Sequence, residues 1–273
     1  MTSSVWAASF EAADISAMKI YEDVLVPRLF TPWARLLLDA LDLRPGEAVL
    51  DVACGPGSVT TLAAVEVGPG GRVTGIDYSR AMLAIGQAKP VAPDAAPIEY
   101  HEASADRLPV ADADFDIAIC QQGLQFFPDR AAALAEMRRA LRPGGRVGIA
   151  VWAAIEQAPP FAALEDAIRE VAGNELADCY RGGPWGMPDA DQLRELLEES
   201  GFDEIRVQQD ALPLSFEGAP QLCSTLAASA IAADLALLSV QRREQFAQVL
   251  ERRVAVDDAL HAEAVAHLAF ARR

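Results

Sequence analysis

The chain predicts an α/β fold, a doubly wound and mostly parallel sheet with helices on both faces and helical cap insertions. Three observations predict it. Short apolar runs alternate with helical stretches from residue 47 onward, and Gly- or Pro-rich turns close the helices between them. The length of 273 residues, with 52% hydrophobic and 23% charged residues, suits one large globular core rather than a disordered chain.

Each element follows from a local signal. Residues 47–53 are an apolar run between Pro45-Gly46 and Gly55, read as a buried parallel strand. A helix over 58–67 ends at Gly68-Pro69-Gly70-Gly71, and 72–77 is the second strand. Ser79 suits the cap of a helix reaching Lys89, before Pro90. Residues 98–101 and 115–120 make the third and fourth strands; a helix over 129–141 meets Pro143-Gly144-Gly145, and 146–152 is the fifth. The rhythm then breaks. Residues 153–188 read as a helical insertion carrying the loop Gly183-Pro184-Trp185-Gly186. A helix over 189–200 precedes a strand over 203–209 that extends toward 216, residues 218–258 read as helical again, and 262–271 as a last strand. The whole is expected as one domain over 1–273, with N-terminal helices in 1–40 and caps at 153–188 and 218–258.

Charge narrows the function classes. A net charge of −17 repels nucleic acid and anionic lipid surfaces, and the basic clusters are short pairs such as Arg138-Arg139 and Arg252-Arg253. No nucleic-acid and no membrane partner is therefore expected. The four cysteines are scattered without zinc-like spacing, so no metal is expected either. Residues 1–10 lack a secretory pattern, and the apolar stretch 219–240 carries too many polar groups to span a bilayer. A cytoplasmic protein, monomer or homodimer, is the expectation.

The chemistry concentrates in Asp51-Val52-Ala53-Cys54-Gly55-Pro56-Gly57. Glycines at a strand-to-helix turn let backbone N–H groups approach a ligand beside the positive end of a helix. Thr60 stands where a dinucleotide fingerprint has its third glycine, and no Gly-Lys-Ser/Thr follows. Asp51 at the end of the first strand opposes a pyrophosphate and suits an ammonium group. Asp77 ends the second strand, where a carboxylate accepts from ribose hydroxyls; its alternative is a helix cap. Asp106 follows the third strand, within reach of an adenine amino group, or else is a solvated loop acid. These groups fit a ligand with an amino acid, a ribose and an adenine but no phosphate, a description S-adenosylmethionine meets.

Four motifs add a resemblance. Val49 to Gly57, Gly75-Ile76-Asp77-Tyr78-Ser79-Arg80-Ala81-Met82-Leu83, Phe115-Asp116 with 120–129, and Leu141-Arg142-Pro143-Gly144-Gly145-Arg146 resemble, in order and spacing, those of class I S-adenosylmethionine-dependent methyltransferases. Tyr21-Glu22, Val26-Pro27 and Phe30-Thr31-Pro32-Trp33 resemble the N-terminal helix of the small-molecule, ubiquinone/menaquinone group. The resemblance covers about residues 15–210. It implies a Rossmann-like seven-stranded sheet, order 3-2-1-4-5-7-6 with strand 7 antiparallel. It also implies S-adenosyl-L-methionine contacts from Gly55, Gly57 and Ala53, from Asp77, Tyr78 and Met82, from Ala105 and Asp106, from Gln121, and from Tyr21 closing over the site.

The implied activity is methyl transfer by in-line displacement to a small, hydrophobic or aromatic acceptor at O, N or C. Trp6, Phe10, Phe126, Phe127, Trp152 and Trp185 are candidate acceptor-pocket residues, each with ordinary core as its alternative. No catalytic base stands out: His101 reads as a strand-end histidine, and His261 and His267 have no acid partner in sequence. A non-catalytic binding protein on the same fold, and a nicotinamide-dependent oxidoreductase, are the competing readings.

Overall fold

Seven strands make one sheet: β1 (Ala48–Val52), β2 (Arg72–Asp77), β3 (Ile98–Glu102), β4 (Phe115–Gln121), β5 (Leu141–Trp152), β6 (Asp203–Ser215) and β7 (His261–Arg272). Across the sheet they run β3-β2-β1-β4-β5-β7-β6. The computed structural model describes residues 19–229, 231–256 and 259–273 of the chain. The five strands from β3 to β5 pair in parallel, and β7 pairs antiparallel with both β5 and β6. This is the expected order, with the last strand inserted between the fifth and sixth. β1 is buried at every position, as a central parallel strand covered on both faces must be.

The helices that shape the site are α1 (Thr31–Leu41), α2 (Ser58–Val67), α3 (Arg80–Ala88) and α4 (Arg130–Ala140). Their caps are local. Ser79 accepts from the amide of Met82, Asp129 accepts from that of Ala132, and Pro32 lies in the first turn of α1. Ahead of α1, Tyr21–Phe30 is a ten-residue π-helical segment containing Pro27, whose missing N–H disfavours ordinary α-helical bonding.

After β5 come α5 (Pro159–Ala172) and α6 (Asn174–Gly182), then α7 (Ala190–Glu199), which caps on Asp189 and leads into β6. The helical region expected over 218–258 is divided into α8 (Ala219–Ser224), a 3-10 turn (Thr225–Ala228), α9 (Ala232–Ala236) and α10 (Val240–Val254). Ser224, Thr225 and Ser229 each turn their hydroxyl onto a carbonyl three residues back, a local bond that competes with continued helix. No helix among the described residues is long and apolar enough to cross a membrane.

Two apolar clusters sandwich the sheet. One joins α1 and α2 to Trp152, Phe161, Trp185 and α10; the other joins α4 and α7 to the opposite face. The inserted helices therefore share a core with the sheet. Glu165 on α5, only 3% exposed, fastens them: its carboxylate accepts from Arg169 at 2.6 Å and from Arg181 at 2.9 and 2.6 Å.

Candidate functional site

Where β1 and β4 end, the backbone turns sharply. Ala53 (φ 57°) and Gln122 (φ 56°) both sit in the left-handed region, unusual for residues with a Cβ. The two turns lie against each other so closely that a Cβ on Gly123 would fall 2.6 Å from that of Ala53. Glycine is required there. Ala53, Gly55, Gln122 and Gly123 all border one cavity of about 190 Å³ beyond the carboxyl ends of the strands, where open α/β sheets hold their ligands.

Asp77 stands in its wall and is 9% exposed. Its carboxylate accepts from the amide of Gly55 and from that of Ser79, each at 2.8 Å. Burial pushes its pKa above the ordinary carboxylate value, and the amide bonds from Ser79 and Gly55 oppose that shift. The cap of α3 is Ser79, so Asp77 is left to join the glycine loop to the end of β2. Tyr78, Met82 and Ala105 also border the cavity.

Gln121 is buried and donates Nε2 to the carbonyl of Phe30 at 2.8 Å, latching the π-helical segment over the cavity. Its Oε1 is buried without a hydrogen-bond partner. Tyr21, the first residue of that segment, closes the same wall and stacks on Phe30 with ring centroids 4.9 Å apart. Burial raises its phenol pKa, and the charges of Asp77 and Glu22 add to the effect.

Three expected cofactor residues do not line this cavity. Asp51, 1% exposed, points instead into the protein, where Thr60 donates its hydroxyl at 2.6 Å. Burial pushes the Asp51 carboxyl up to about 7, a shift that the Thr60 bond resists and the Asp77 charge increases. Its position explains Thr60: the residue replacing a third glycine holds the carboxylate beneath the loop. Gly57 (φ 77°) backs onto Tyr100, whose hydroxyl would lie 2.3 Å from a Cβ there. It shapes the loop from behind. Asp106 is exposed and does not border the cavity, although its neighbour Ala105 does.

A second cavity, of about 90 Å³, adjoins the first, with Tyr21, Gln122 and Phe126 bordering both. Its other walls include Trp152, Phe161, Tyr180 and Trp185. Trp185 lies 5.2 Å from Phe161 and 5.7 Å from Tyr180 between ring centroids, and Trp152 meets Trp33 edge-on at 5.7 Å. The structure thus brings Phe126, Trp152 and Trp185 together, while Phe127 borders only the first cavity. Trp6 and Phe10 lie outside the described residues.

The histidines stand apart from both cavities. His101 and His261 are on strand ends, the latter already the first residue of β7, and His267 is buried on β7 with Nε2 2.9 Å from the carbonyl of Pro188. Sequence reasoning missed Gln122, Phe161 and Tyr180. For Gln122 the signal was a second glutamine directly before Gly123; for Phe161 and Tyr180 only the packing of α5 and α6 supplies the placement. No cluster of His, Cys, Asp and Glu suited to a metal occurs among the described residues.

Residues 15–212 match the ubiE/COQ5 methyltransferase family. Over 193 residues the chain is 31% identical to the demethylmenaquinone methyltransferase of Listeria monocytogenes serotype 4a (strain HCC23), an alignment covering 66% of this chain and 79% of that protein. Its fold matches phosphoethanolamine N-methyltransferase 2 of Haemonchus contortus in complex with S-adenosyl-L-methionine, with a TM-score of 0.60 at 18% identity over 95% of this chain and 57% of the other. The chain thus spans just over half the length of that structure. Against the YcgJ protein of Bacillus subtilis the TM-score is 0.57 at 17% identity, covering 88% and 97% of the two chains. Identities that low speak for the fold; the family match and the Listeria relative speak for descent. The chain belongs to the ubiE/COQ5 methyltransferase family and is an S-adenosylmethionine-dependent methyltransferase.

Proposed function

We propose that the chain methylates a small aromatic or otherwise hydrophobic molecule held in the aromatic cavity, with S-adenosylmethionine in the adjoining one. The observation that carries this reading is the shared wall of Tyr21, Gln122 and Phe126, which puts two differently built cavities in contact. The first cavity suits the cofactor's parts. Asp77 can accept from ribose hydroxyls, Tyr78, Met82 and Ala105 flank the adenine, and the loop at Ala53 and Gly55 meets the methionine portion. The buried, unpartnered Oε1 of Gln121 is an acceptor suited to its ammonium group. In this reading Asp51 and Gly57 hold the loop in shape.

When bound, the cofactor supplies an electrophilic methyl group on a sulfonium whose departure leaves a neutral thioether. The protein's work is then to align and dehydrate. Ring walls from Trp152, Phe161, Tyr180 and Trp185 fix an acceptor's plane, and Phe126 at the rim confines the path between cavities. Such positioning contributes as much as about 7–11 kcal/mol to a barrier. Among the described residues, no histidine or carboxylate lines the aromatic cavity; its titratable groups are Tyr21 and Tyr180, whose pKa values burial raises. An acceptor that arrives nucleophilic, or ionises in solution, fits that environment better than one needing a strong base.

The Listeria relative is named for demethylmenaquinone, a small molecule, which supports the same direction. The charge of −17 further supports a small-molecule rather than a nucleic-acid substrate, in a cytoplasmic monomer or homodimer. Incubation with methyl-labelled S-adenosylmethionine and a panel of phenols, quinols and arylamines tests it. Label recovered in the small aromatic products supports the reading; label recovered only in added protein or nucleic acid contradicts it.

A further inference from the structure

Gln121 and Gln122 follow each other in sequence, yet both residues border the cofactor cavity. In an extended strand, successive side chains point to opposite faces. The left-handed backbone at Gln122 breaks that alternation, at a local conformational cost that persists only where the surroundings hold it. The surroundings do so here: the Gln122 amide donates to the carbonyl of Ala150 on β5 at 2.8 Å. Strain of this kind brings a second carboxamide to the rim that the two cavities share.

The two ends of that carboxamide differ. Gln125, 2% exposed, donates Nε2 to the Oε1 of Gln122 at 3.2 Å. Gln122 itself is 6% exposed, and its Nε2 is buried without a hydrogen-bond partner. A buried donor left unmade is costly, and native proteins usually provide it with an acceptor. Everything else in the neighbouring chamber wall is aromatic, aliphatic or hydroxyl-bearing.

We propose that Gln122 is a specificity-determining residue whose Nε2 donates to an oxygen of the methyl acceptor, a ring carbonyl or ether-type oxygen, with Gln125 as the positioning residue that turns its amide. The inference rests on the aromatic cavity being the acceptor site. An oxygen-bearing ring is then held at two points, by its faces and by one oxygen. A hydrocarbon of the same shape leaves Nε2 unsatisfied, which is how a buried polar group rejects an analogue.

Calorimetry on the full chain saturated with S-adenosylhomocysteine tests this, using 1-tetralone and its hydrocarbon counterpart tetralin as probes. The wild type should bind the ketone about fivefold to tenfold more tightly than the hydrocarbon. Gln122→Met, which keeps length and bulk, and Gln122→Leu should bind the two probes equally, with tetralin affinity reporting an intact chamber. Gln125→Leu should shrink the ratio while leaving tetralin bound, and Gln125→Glu, whose carboxylate can only accept and so draws Nε2 of Gln122 onto itself, should abolish the ratio with tetralin still bound. A ketone preference that survives both Gln122 variants overturns the proposal and leaves the aromatic chamber standing. If the wild type binds neither probe, the chamber reading falls and takes the proposal with it.

Discussion

Asp51 with Thr60, and Gly57 with Tyr100, form the underside of the cofactor loop, and each pair carries its own test. The Asp51 carboxyl, pushed up to about 7, binds its proton more tightly in the folded than in the unfolded chain. Between about pH 4 and pH 7 the folded state therefore holds more protons, and this residue makes stability fall as pH rises, levelling off above about 7. Asp51→Asn removes that slope, so its stability relative to wild type should be greater at pH 8 than at pH 5 in urea unfolding. Gly57→Ala meets both a left-handed φ and the Tyr100 hydroxyl, and should cost about 1–3 kcal/mol. Adding Tyr100→Phe removes the nearest clashing atom and should recover part of that loss in the same assay. The sequence singled out this loop through its glycines and Asp51, but Asp51's direction was not legible. A strand alternates faces, and only the packing of α2 shows that the Asp51 side chain meets Thr60 rather than bordering the cavity.

At the scale of elements, the aromatic chamber depends on how α5 and α6 are held. Glu165 is buried between two arginines that are themselves partly exposed, with side-chain exposures of 36% and 41%. Glu165→Ala leaves those arginines free to rehydrate, so the loss should be about 2 kcal/mol, below the 3–5 kcal/mol of a wholly buried pair. Thermal unfolding measures it, and acceptor turnover should fall more than cofactor affinity because Tyr180 and Trp185 lie just beyond the network. Some elements were legible to the residue: β2 and α2 coincide with their expected spans, bounded by Gly57, by Gly68 to Gly71 and by the cap residue Ser79, whereas β5 begins at Leu141, ahead of the expected 146. The π-helical Tyr21–Phe30 segment was not, since nothing in a local pattern separates a π turn at Pro27 from an α-helix. The chamber was legible only in part. Trp152 and Trp185 were visible as large residues at the end of strand five and in the insertion after it, whereas Phe161 and Tyr180 join them through tertiary packing of helices whose crossing no periodicity encodes.

Across the whole molecule, two adjoining cavities share a wall, one lined in part by Asp77 and two glutamines, the other mainly by rings. The sheet order with β7 inserted beside β5 follows the expectation, and it seats the inserted helices next to the cofactor cavity rather than at a distant edge. If the division of labour is as described, binding should separate along it. Calorimetry with S-adenosylhomocysteine and NAD on wild type, Asp77→Ala and Trp185→Leu is the most direct measurement. The wild type should bind S-adenosylhomocysteine and not NAD. Asp77→Ala should lose about 30-fold or more of that affinity, through the lost ribose acceptor and the freed Gly55 amide. Trp185→Leu should stay within about threefold of wild type, since a side chain in the other cavity contributes little to this ligand. Tight NAD binding, or a Trp185→Leu loss as large as that of Asp77→Ala, would contradict the assignment of the two cavities.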